Sequence, residues 1–117
     1  MKVETQPEQA ITILCMAVVQ AQDADFAEDA IRALDIFVTR LPSQGAFLGR
    51  RNATLLIAAN EKKMPKIMSA LKENCRQRIE YISIPLESAP LPMPSPTPIT
   101  VGGATVFTLD IDYFEEF

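Results

Sequence analysis

Ile11 to Val19 is a nearly continuous apolar run of strand length, rich in β-branched residues, the pattern of a central strand buried on both faces. Phe26, Ala27, Ala30, Ile31 and Leu34 then recur at helical spacing. Asp23 or Asp25 is placed to cap that helix, and Glu28, three residues after Asp25, completes a capping box. Ile36 to Leu41 returns to strand composition, Pro42 to Arg51 reads as a short connecting loop, and Ala53 to Ala59 is a second fully apolar strand, so the pair predicts a hairpin. Met64, Ile67, Met68, Leu71 and Cys75 trace another helical stripe, which starts near Met64 because Pro65 is tolerated only in a first turn. Arg78 to Ile84 predicts a short strand. The stretch from Pro85 to Pro98 holds six of the nine prolines, which bars it from a sheet interior and predicts a long extended loop. Thr105 to Tyr113 alternates cleanly, with Phe107, Leu109, Ile111 and Tyr113 on one face and Thr108, Asp110 and Asp112 on the other.

The order strand, helix, strand, strand, helix, long loop, strand predicts an α+β fold: the ferredoxin-like βαββαβ arrangement, an antiparallel sheet with two helices on one face. Residues 1–10 are expected to be a flexible tail and 11–117 a single domain. The second face of such a sheet is bare, yet both central strands are apolar on both sides, and Phe37 and Leu41 point away from the face of Ile36 and Val38. Self-association is the simplest cover.

Composition narrows the function. At 117 residues and 48% hydrophobic content the chain can bury a core without disulfides or metal. Eleven basic against fifteen acidic residues give a net charge of -4, and no basic run exceeds Arg50-Arg51, so a nucleic-acid backbone meets no electrostatic source. No apolar stretch approaches the roughly 20 residues of a membrane span, and the polar start lacks a signal-peptide layout, so the chain is read as cytoplasmic. Cys15 and Cys75 match no metal-ligand spacing and are expected to be buried free thiols. With no histidine, the usual neutral-pH general base and histidine metal sites are missing, and neither phosphate-binding glycine motif is present, so the chain reads as no enzyme, with no cofactor. Asp110 and Asp112 are expected to be a solvated polar face rather than a cation site.

Only four glycines occur, Gly45 and Gly49 around Ala46-Phe47-Leu48 and the pair Gly102-Gly103, and these two places are the first candidates for a ligand site. Ala17-Val18-Val19-Gln20, Gln22-Asp23, Thr39, Gly45-Ala46-Phe47-Leu48, Asn52-Ala53-Thr54 and, most specifically, Gly102-Gly103-Ala104-Thr105-Val106-Phe107 together resemble the small PII-like signalling proteins that act as cyclic di-AMP receptors. The resemblance implies a homotrimer whose sheets pack inward, with a nucleotide pocket in each cleft between subunits. It also implies ligand contacts at Thr39, Gly45, Phe47, Leu48 and Asn52. Phe47 suits stacking on adenine, Leu48 apolar cover, and Thr39 and Asn52 the few orienting polar bonds. Arg50 and Arg51 are placed to grip a phosphate. Where the family carries asparagine and arginine on strand two, a glycine on strand three and a near-terminal glutamine, this chain has Asp35, Phe37, Ala58 and Glu116. Those exchanges remove a phosphate donor and add carboxylates. Two further readings stay open: binding of another small anionic ligand, and an interaction module whose proline-rich loop docks a downstream protein partner.

Overall fold

The structure, a computed structural model, describes residues 10–41, 46–47, 50–84 and 95–117, apart from the side chains of 46, 47, 50, 82–84 and 95. The elements run β1 (Ile13–Gln20), α1 (Ala21–Arg32), β2 (Phe37–Leu41), β3 (Ala46–Phe47), β4 (Arg50–Ala59), a 3-10 turn (Glu61–Lys63), α2 (Met64–Cys75), β5 (Arg78–Ile84), β6 (Ser95–Val101) and β7 (Ala104–Asp110). The main sheet has the order β2-β4-β1-β7, antiparallel throughout, which is the ferredoxin-like frame predicted from the sequence. β3 adds to the start of β4 with Phe47 opposite Arg50, so the expected loop from Pro42 to Arg51 contains a tight hairpin. The tail expected over residues 1–10 lies outside the described residues, save Ala10, whose carbonyl accepts from Asn60 Nδ2 at 2.9 Å.

The core lies between the sheet and the two helices. Alternate residues of β1 (Ile13, Cys15, Ala17, Val19) and of β4 (Ala53, Leu55, Ile57, Ala59) are buried, which is the period-two pattern of one covered face. Against them α1 sets Ala24, Ala27 and Ile31, and α2 sets Ile67, Ala70, Leu71 and Cys75. Small residues on α1 bring its backbone close to the sheet, while the larger volume comes from Ile31, Leu55, Ile57, Ile67 and Leu71. Pro65 falls in the first turn of α2, as expected, after Asn60 has capped the preceding 3-10 turn by accepting from the Lys62 amide at 3.0 Å.

The capping box on α1 does not form. The helix begins at Ala21 and its N-cap, Gln20, makes no side-chain cap bond. Asp23 is instead buried in the first turn, Asp25 pairs with Arg40 at 2.6 Å, and Glu28 pairs with Arg32 at 2.8 Å and Arg40 at 3.0 Å. The helix ends through amides of Ala33, Leu34 and Asp35 that reach back to Asp29, Ile31 and Arg32, with Asp35 in the left-handed region at φ 60°.

A second departure concerns the proline-rich stretch. Residues 95–101 are not loop but strand β6, paired with β5 in a two-stranded ribbon apart from the main sheet. Pro96 and Pro98 oppose Ser83 and Tyr81, so the ladder runs through the residues between them and the proline nitrogens face the outer edge. Residues 85–94 of the expected loop lie outside the described residues. The ribbon stands off the body: Ile79 and Tyr81 are 62% and 70% exposed, and the radius of gyration is 19.0 Å against roughly 13 Å for a compact chain of this length.

At its base the ribbon is fastened by four contacts. The buried carboxylate of Asp23 receives Arg78 bidentately, Nη2 to Oδ1 at 2.9 Å and Nη1 to Oδ2 at 3.4 Å. Gln20 Oε1 accepts the Gly102 amide at 2.7 Å, and the Gly103 amide donates to the Cys75 carbonyl at the end of α2. Both glycines have positive φ, 84° and 91°. A Cβ on Gly102 would collide with the Arg76 carbonyl oxygen and lie 2.8 Å from Arg78 Nη1.

Gly102→Ala is therefore expected to destabilise the fold by more than about 1 kcal/mol, through strained backbone and a displaced Arg78, as read from urea unfolding. Burial, then the Asp23 charge, raises the Cys75 thiol from 9.0 to about 11, opposed by Arg78; burial also raises Cys15. The native state thus holds the Cys75 proton more tightly than the unfolded chain, so this contribution to stability is complete below pH 9 and is lost as pH rises through 11. Neither thiol should react with Ellman's reagent at pH 8 until denaturant is added; rapid native reaction would contradict the burial.

Candidate functional site

The register places a row of side chains on the sheet face opposite the helices. Phe37, Ala58, Leu14 and Leu109 lie across one end, and Thr39, Leu56, Met16 and Phe107 across the middle. Leu41, Thr54, Val18 and Thr105 follow, then Asn52 beside Gln20. No described element covers this face: Phe37 is 61% exposed, Phe107 55% and Leu109 52%. The apolar content declines from the Phe37 end toward the Asn52 end, which is where the hairpin of β3 and β4 begins. β7 stops at Asp110 rather than continuing to Tyr113 as the alternation predicts.

The residues expected to bind ligand separate into two groups. Thr39 sits mid-strand on the open face, one cross-strand row from Phe37 and Ala58. Asn52 sits six residues from Ala58 along β4, about 20 Å at roughly 3.3 Å per residue. The backbones of Phe47, Arg50 and Arg51 join the Asn52 end, with Arg51 exposed. Gly45 and Leu48 lie outside the described residues. Gly102-Gly103, a first candidate for ligand approach, fits the ribbon against the end of α2.

An open cleft of about 300 Å³ lies at the Phe37 end. It is lined by Ile11, Asp35, Phe37, Ala58, Asn60 and Lys63 among others, and so gathers the exchanged positions Asp35, Phe37 and Ala58 at one point. Glu116 is exposed in the segment after β7. Lys63 is the cation that sequence reading missed; the signal was the Asn60 cap, which fixes the turn that carries it. A second, polar groove of about 480 Å³ lies at the base of the ribbon between Phe26, Asn74, Arg76 and the Asp23–Arg78 pair. Gln20, Asp23 and Arg78 were not foreseen as a group, although two of them lie in the segments that carry the resemblance.

The described residues include no group of three or more acidic or cysteine side chains arranged to hold a metal ion, and no helix among them is long and apolar enough to cross a membrane.

Comparison with known proteins gives a family and solved structures of the same fold. A structure of a functionally unknown protein from Pediococcus pentosaceus superposes with a TM-score of 0.73 at 32% identity, covering 92% of this chain and 98% of that one. The family model described as "Cyclic-di-AMP receptor" matches residues 12–117, which span β1 through the C-terminal segment and take in both ends of the open sheet face. With the ferredoxin-like sheet order, the ribbon before the last strand and this match across nearly the whole sequence, the chain belongs to the PII-like cyclic-di-AMP receptor family.

Proposed function

We propose that this protein is a cytoplasmic, non-enzymatic signalling receptor that binds a cyclic dinucleotide, by its family cyclic di-AMP, in clefts between the subunits of a homotrimer. The observation that carries the reading is the separation of the candidate residues along one open face. Asn52 at the hairpin end and the Phe37–Ala58 row at the other stand about 20 Å apart, with Thr39 between them, farther than one chain's side chains can close around a single base. Packing of the open faces against one another brings the hairpin end of one copy toward the Phe37 end of the next and covers the exposed Phe107, Leu109 and Phe37 at the same time. In that arrangement Phe47 and Leu48 give the base an apolar seat, Thr39, Gly45 and Asn52 orient it, and Arg50 or Arg51 meets phosphate.

The ribbon supplies the output. Gln20 stands beside Asn52 in the sheet and holds Gly102, so a ligand that moves the Asn52 end acts directly on the ribbon's attachment. Exposed Ile79 and Tyr81 on one face of the ribbon favour a second reading, in which a downstream protein docks there whether or not a nucleotide is present.

Sedimentation should report about three times the chain mass of 12.9 kDa at micromolar concentration; a stable monomer would remove both the cover and the inter-subunit site. Calorimetry with cyclic di-AMP should show binding, weakened about 1–3 kcal/mol by Phe47→Ala through lost stacking and cover. If neither cyclic dinucleotides nor adenine nucleotides bind at millimolar concentration, the receptor reading fails and the docking reading replaces it.

A further inference from the structure

Gln20 closes β1 on the open sheet face, in register with Asn52 of β4, and it is also the N-cap residue of α1. Its side chain does not cap that helix. Instead Oε1 reaches across to accept the Gly102 amide at 2.7 Å, joining positions 82 apart in sequence. Gly102 is itself confined, by its positive φ and by the Arg76 carbonyl against which no Cβ fits, so the bond has a fixed point to hold. A backbone N–H needs an acceptor, so the end of the Gln20 amide that faces Gly102 is the oxygen, and Nε2 keeps two N–H donors. Among the described residues, nothing accepts from Nε2. This half-buried donor sits on a planar amide already anchored at its oxygen, so little further ordering is needed for it to bind a partner.

We propose that Gln20 touches the bound nucleotide directly, Nε2 donating to an acceptor atom of the ligand while Oε1 keeps its hold on Gly102, so that one side chain contacts both ligand and ribbon. This contact rests on the cyclic-dinucleotide reading above and adds to it a ligand-binding residue that it does not assign. Opposed residues on neighbouring antiparallel strands hold their Cβ atoms about 4.5–5.5 Å apart, so a ligand that reaches Asn52 is also within reach of the Gln20 amide. The ring nitrogens of adenine and the phosphate oxygens all accept, so cyclic di-AMP presents partners to an amide that has only donors left to give. An amide that accepts at its oxygen donates more strongly at its nitrogen, and the converse holds. Ligand binding and the grip on Gly102 therefore reinforce one another, and the coupling is reciprocal. The β5 side of the ribbon is held separately, by Arg78 on Asp23, so the relay acts on the corner between β6 and β7 where Gly102 lies.

With only four glycines, the full-length chain labelled on glycine alone gives four backbone amide signals in NMR. Gly102 and Gly103 report on the ribbon, and Gly45 and Gly49, either side of Ala46-Phe47-Leu48, report on the other end of the site. Saturating cyclic di-AMP is expected to shift the Gly102 signal along with those of Gly45 and Gly49, and to slow exchange of the Gly102 amide with solvent. Gln20→Glu keeps an oxygen for Gly102 and removes the donor. It should weaken cyclic di-AMP at least about fivefold in calorimetry, the loss of one hydrogen bond. At saturation its Gly45 and Gly49 signals should still respond while Gly102 stays at its ligand-free position. Gly102 protection retained before ligand is added separates loss of the ligand contact from loss of the attachment, and Gln20→Ala, which has neither end, should lose both. A parent Gly102 signal that ignores saturating ligand, or a Gln20→Glu variant that binds and responds as the parent does, overturns the inference and leaves the receptor reading standing. No heat of binding and no response at any of the four glycines overturns both.

Discussion

The structure is governed by a mismatch between its sheet and its helices. Four strands carry apolar side chains on two faces, and α1 and α2 suffice to cover one. The covered face closes into a core of aliphatic residues and two inert thiols. The open face, with Phe37, Leu56, Met16, Phe107 and Leu109 across it, is too apolar to be a finished surface. In the assembly proposed above, a site on the rim of such a face is completed only when the face itself is covered, which would make assembly and ligand binding two outcomes of the same surplus of apolar strand.

Much of this was legible in the sequence because the signals were local. The apolar runs of β1 and β4, the helical stripes of α1 and α2, and the first-turn position of Pro65 each depend on residues within a few positions. The errors came where a distant partner decides. Asp23 reads as a cap until Arg78, 55 positions later, takes its carboxylate. The alternation of β7 runs on to Tyr113, but its neighbour among the described residues, β1, begins at Ile13, and past Asp110 only the Ile111 amide still reaches it, donating to the Thr12 carbonyl at 2.9 Å. Prolines at every second position read as loop, whereas a two-stranded ribbon accepts them on its outer edge. Among the site residues, the face of Thr39 and Asn52 follows from parity, but their distance from each other required the register of β4.

The segments that carry the family resemblance acquire a physical meaning from the ribbon's base. Gln20, Asp23 and Gly102-Gly103 are scattered over more than 80 positions of sequence, and the structure brings them to one junction of β1, α1, the end of α2 and the start of β7. That junction borders the sheet row of Asn52. In the proposed function, binding at the hairpin end and a change in the ribbon's pose would share residues rather than communicate through a long chain of contacts.

A projecting ribbon has two free edges, and each is a template for another strand. In this one the edges are not equivalent: Pro96 and Pro98 take two amide donors from the outer side of β6, leaving β5 as the side better able to accept a partner strand. Growth of a continuous sheet needs two competent edges on every molecule, one to receive and one to give. With the β6 edge weakened, strand addition here is biased to the β5 edge, so the ribbon can be extended and apolar with a reduced tendency to seed fibres.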